Sequence, residues 1–137
     1  MKYIVDANLL SEATKLDPAP KVVEWLRLNE EHLAVTPVVL GELESGILLL
    51  SSSKRKKQLE VWFEKIRSTV CCIDFDSRAA SSWAQLLARL KSKGHAMPVK
   101  DSLIAASAIA HNLTVATRNI RDFANARVPL INPFEMN

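Results

Sequence analysis

The sequence predicts an α/β fold, a mostly parallel sheet of about five strands covered by helices on both faces. Short apolar runs rich in β-branched residues alternate with longer segments of helical periodicity from one end of the chain to the other. At 48% hydrophobic and 24% charged, the composition is that of a globular chain able to bury a core. The 137 residues suit one ordinary domain, 1–137, and three Gly and six Pro leave little for a linker or low-complexity tail.

Tyr3-Ile4-Val5 is the first strand, ending at Asp6. Ser11 to Thr14 opens a helical turn. Pro20 then precedes a helix whose stripe is Val22, Val23, Trp25, Leu26 and Leu28. His32 to Val35 is a second strand. Thr36-Pro37 starts the next helix, with Thr as N-cap and Pro at the first helical position, and Leu40, Leu43, Ile47 and Leu50 repeat along it. Ser51 to Lys57 reads as a polar connection feeding a helix with Leu59, Trp62, Phe63 and Ile66 on one face. Val70 to Ile73 is a third strand. Asp76 or Ser77 caps a long helix through Trp83, Leu86, Leu87 and Leu90 that closes near Gly94. Pro98 precedes an Ala-rich helix from about Asp101 to His111. Leu113–Thr117 and Val128–Ile131 complete the strands.

Bulk features narrow the function. Eighteen basic against fifteen acidic residues give a formal net charge of +3, which fits a polyanionic partner without requiring one. Cys71 and Cys72 are adjacent, so no ordinary disulfide joins them, and no CxxC or Cys/His cluster suggests zinc. They read as buried free thiols of a reducing compartment. The start carries no signal-peptide apolar core, and apolar stretches fall short of the roughly 20 residues of a membrane span. A cytoplasmic protein away from membranes is expected.

Acidic residues stand where such a sheet binds ligands, at the carboxyl ends of its strands. Asp6 follows the first strand directly, and a charge after a buried run must be solvated, paired or bound to metal. The ordinary alternative is a cap for the next segment. Glu42 lies at the edge of the apolar stripe of its helix beside Gly41, where a close approach is expected, whereas Glu44 falls on the outer side. Asp101 sits in a first helical turn, where the macrodipole favours an acid in any case. Thr117-Arg118-Asn119-Ile120-Arg121-Asp122 brings hydroxyl, amide, carboxylate and guanidinium groups to another strand end. Together these oxygen donors suit a hard divalent cation. The chain has no P-loop or GxGxxG.

At these residues the chain resembles the PIN-domain ribonucleases, toxins of the VapC/FitB type from bacterial toxin–antitoxin pairs. The resemblance rests on Tyr3 through Glu12, on Gly41-Glu42-Leu43 with Ser45-Gly46-Ile47, and on Asp101 through Ala106. Thr117-Arg118-Asn119, Asp122-Phe123 and Asn132-Pro133-Phe134 extend it to the end. It implies a PIN-like three-layer α/β/α sandwich and an Mg²⁺- or Mn²⁺-dependent endoribonuclease. It also implies a homodimer and a cognate antitoxin that inserts a segment into the active-site groove. By motif match, Asp6, Glu42 and Asp101 carry over as acidic ligands, Asp6 and Asp101 foremost for the metal, with Asn119 and Asp122 contributing to catalysis. Arg118, Arg121, Asn8 and Thr117 are the expected RNA contacts, and the Lys54–Lys57 cluster is either a further grip or a solvated helix start. Two departures stand out. Ala7 replaces the Thr usual after the first Asp, removing a hydroxyl that would orient the carboxylate. The fourth acid is divided between Asn119, an amide, and Asp122. The competing readings are a weakened or silent module binding RNA or antitoxin, and a nuclease acting on DNA.

Overall fold

A computed structural model describes residues 1–136; Asn137, the last residue of the expected domain, lies outside them. Its five strands are β1 (Tyr3–Val5), β2 (Leu33–Val35), β3 (Cys71–Cys72), β4 (Thr114–Ala116) and β5 (Leu130–Ile131). All pairs are parallel, in the order β3-β2-β1-β4-β5. The central strands are buried, as strands covered on both faces must be: Ile4, Val5, Ala34, Val35, Val115 and Ala116 have no exposed surface.

The helices are α1 (Ala7–Ser11), α2 (Pro20–Leu28), α3 (Pro37–Leu48), α4 (Lys54–Thr69), α5 (Ser77–Ser92), α6 (Val99–His111) and α7 (Ile120–Phe123). From β1 the chain steps outward to β2 and β3, and helices α1 and α3, and α3 and α4, pack together along that path. It then crosses back to β4 and β5, and α5, α6 and α7 pack together on the return. With right-handed crossovers these two groups cover opposite faces. Strand order reverses between β1 and β4, so a crevice opens at their carboxyl ends.

The helix ends follow the sequence signals. Thr36 Oγ1 accepts from Val39 N at 3.3 Å, and Asp76 Oδ1 accepts from Ala79 N at 2.9 Å. Past the end of α5, Gly94 adopts φ +69, a left-handed stop that glycine takes without strain.

Four expectations are corrected. The helix after β1 starts at Ala7, not Ser11, because Asp6 caps it; Glu12–Thr14 continues as a 3₁₀ turn. Lys54–Lys57 is the first turn of α4, since Ser53 Oγ accepts from Lys56 N at 3.1 Å. Gly41 meets no close neighbour: an added Cβ there would find nothing within 4 Å. Cys71 and Cys72 are exposed, not buried, because β3 is a two-residue strand at the sheet edge, outside the close-packed core. Among the described residues no helix is long and apolar enough to cross a membrane.

Candidate active site

The β1–β4 register pairs Val5 with Ala116, so Asp6 and Thr117 leave the sheet side by side. Asp6 is only 7% exposed, and both of its oxygens are engaged. Oδ1 accepts from Leu9 N at 2.9 Å, capping α1, and Oδ2 accepts from Thr117 Oγ1 at 2.6 Å. The capping role and a site role therefore coexist in one carboxylate, because each oxygen keeps a lone pair free. Thr117 Oγ1 in turn accepts from Asn119 N at 2.9 Å, locking the loop after β4. Thr117 has no exposed surface. Buried and bonded to Asp6, it presents no surface for the direct RNA contact expected of it. It also supplies the carboxylate with the hydroxyl that Ala7 lacks.

Asp101 stands in the first turn of α6, half-buried. Its carboxyl is pushed up to about 6, chiefly by burial, then by the charges of Asp122, Asp6 and Glu42, with Lys100 opposing. Asp6 is raised as well, by burial and by Glu42, against the hydrogen bonds from Thr117 and Leu9. The four carboxylates thus share one field, and Asp122 belongs to it. Lys100 Nζ lies 3.5 Å from Glu42 Oε2, a cation beside this acidic group that the sequence pattern did not single out. Glu44 is exposed on the outer side of α3, as expected.

Asn119, exposed, precedes α7, and Asp122 lies within it. Arg118 places its guanidinium 4.3 Å from the centre of the Phe134 ring. Arg121 is exposed and, among the described residues, makes no ion pair. Asn8 is exposed on α1 and lines two clefts. One, of about 250 Å³, also takes in Ser11, Glu42, Gly46 and Trp62. The other, of about 230 Å³, takes in Glu12, Lys15, Arg118, Asn119 and Phe134. Glu12 is a buried acid that the pattern reading passed over. Lys15, with the amide of Ala19 at 2.9 Å, holds its carboxyl below the usual range, and the charge of Arg118 adds to that. Lys15, three residues on, was its one local signal; the contact to Ala19 appears only in the fold.

A model of the PIN domain matches residues 3–128. The chain belongs to the PIN-domain family. The toxin FitB of Neisseria gonorrhoeae is 32% identical, covering 96% of this chain and 97% of its own. The VapC ribonuclease Y4jK of Sinorhizobium fredii is 30% identical over 96% of this chain and 97% of its own. Among solved structures, FitAB bound to an IR36 DNA fragment superposes with a TM-score of 0.91 at 30% identity, covering 98% of this chain and 97% of that one.

In this PIN domain the donor chemistry fits a hard divalent cation. Asp6, Glu42, Asp101 and Asp122 offer only oxygen, and their mutual repulsion is what a cation relieves. Among the described residues no three His, Cys, Asp or Glu side chains form a ready-made cage.

Proposed function

We propose that this PIN domain is a divalent-metal-dependent endoribonuclease, the toxin of a toxin–antitoxin pair. The observation that carries the reading is the shared field of Asp6, Glu42, Asp101 and Asp122 at the β1–β4 switch point. The names of its relatives, a toxin and a ribonuclease, support the substrate and the biological role. Asp6 and Asp101 would hold Mg²⁺ or Mn²⁺, with Glu42 and Asp122 orienting water around it. Such an ion supplies positive charge to the phosphate and lowers the pKa of a bound water. The chain's own part is positioning: Thr117 fixes Asp6, and Asp101 is presented by α6. Asn119 and Asn8 offer amides to substrate at the rim, and Arg118, steadied on Phe134, meets the RNA backbone together with Arg121. A cognate antitoxin is its partner, in keeping with the FitAB assembly, and a second copy of the chain joins them in this reading. The hydroxyl that Thr117 gives Asp6 argues for an active enzyme over a silent module.

Single-stranded RNA and single-stranded DNA, each with Mg²⁺ and with EDTA, test the reading. Cleavage of RNA alone, abolished by EDTA, is expected. Cleavage of DNA, or of neither, contradicts it.

A further inference from the structure

Beyond Asp122 the chain turns through Ala124–Ala126 and meets the end of α5 at a further pocket of about 140 Å³. Arg89, Lys93, His95 and Arg127 line it together with Asn125, and no carboxylate does among the described residues. Nor, among the described residues, does any of these four basic residues make an ion pair. Arg89 Nη2 donates to Ala126 O at 3.0 Å, which pins the guanidinium, while its Nε is buried without a hydrogen-bond partner. A buried N–H with no acceptor is costly. Basic residues at a helix C-terminus are ordinary, because they complement the macrodipole. That accounts for Arg89 and Lys93. It does not account for Arg127, which arrives from the turn after α7.

We propose that this pocket cradles a backbone phosphate of the RNA strand that crosses the carboxylates. The proposal rests on the ribonuclease reading and adds a grip to it. Placement favours RNA over a free anion: α7 is one turn, about 6 Å of rise, and the cradle begins just past it, two residues after Asp122. Along the chain Arg118 precedes α7 and Arg127 follows it, so basic residues stand on either side of Asp122 in sequence. A strand cut at the carboxylates therefore finds cations for its neighbouring phosphates on either hand, and phosphate contacts of this kind set register without reading sequence.

The double variant Lys93→Gln/Arg127→Asn tests it; Asn tolerates the left-handed φ of 56 found at position 127. Binding to a long single-stranded RNA is followed by fluorescence anisotropy across salt concentrations. Affinity should fall about tenfold, and the slope of log affinity against log salt should shrink by about 1.4, roughly 0.7 for each lost contact. Cleavage of a dinucleotide should be unchanged, and Lys93→Arg/Arg127→Lys should bind long RNA as the wild type does. Unchanged affinity and slope in the neutral variant overturn the cradle while leaving the nuclease standing. A wild type that neither cuts nor binds RNA overturns both. Loss of binding to polyglutamate but not to RNA would assign the pocket to an acidic protein partner and overturn the proposal.

Discussion

Asp6 divides its work between two oxygens, and the division explains why a buried carboxylate survives at a sheet end. Oδ1 holds the first turn of α1 and Oδ2 is held by Thr117. Replacing Thr117 by Val keeps the shape and removes the hydroxyl, leaving Asp6 Oδ2 and Asn119 N each without its partner. The expected cost is about 1–3 kcal/mol in urea unfolding, with a loss of about 10- to 100-fold in Mn²⁺ affinity. Unchanged Mn²⁺ affinity would remove Thr117 from the site. Asp101 makes a pH prediction. Its carboxyl titrates near 3.8 when unfolded and about 6 when folded, so the folded state holds the extra proton between those values. Its contribution to stability is full below about 4 and is lost as pH rises through 6. Without metal, the melting temperature should therefore fall across that window, and Asp101→Asn should flatten the fall; an equal slope in both proteins refutes it. The acids at Asp6, Glu42 and Asp101 were legible because each follows a strand or sits on a helix edge. Thr117 as an orienting group was not: its partner lies 111 residues away in sequence.

Elements announced themselves where a local rule governs them. Thr36-Pro37 and Asp76 cap α3 and α5 through their own side chains or ring, and Gly94 ends α5 through its φ. Boundaries failed where the deciding contact was elsewhere. Lys54–Lys57 looked like a connection because four cations are poor helix-start residues beside the macrodipole, yet the Ser53 cap starts the helix before them. Cys71 and Cys72 read as buried because unpaired cysteines outside a metal motif are usually buried, but edge position is a property of the whole sheet. Gly41 is the element-scale test. It lies inside α3 with open space around its missing Cβ, so no packing requires glycine there. Gly41→Ala should stabilise the protein by about 1 kcal/mol in urea unfolding; destabilisation would mean a constraint on α3 that its packing does not show.

At the scale of the whole molecule, the strand order sets the chemistry. Reversal between β1 and β4 puts Asp6 and Thr117 together, and α6 and α7 add Asp101 and Asp122 from the return half of the chain. Exposed Leu49, 85% accessible, and its neighbours Leu48 and Leu50 close α3 on the outward half. The fold class was legible as alternation, but the convergence of four acids depends on crossovers that no local pattern encodes. On the proposed function, Asp6 is indispensable to the site and dispensable to the fold. Asn keeps an N-cap acceptor in place of Asp, so Asp6→Asn should give the wild-type circular dichroism spectrum. Cleavage of single-stranded RNA in Mg²⁺ by this variant, beside the wild type, is the most direct test. Full cleavage by the wild type and none by Asp6→Asn is expected; equal cleavage by a folded Asp6→Asn protein would refute the metal-site role of Asp6.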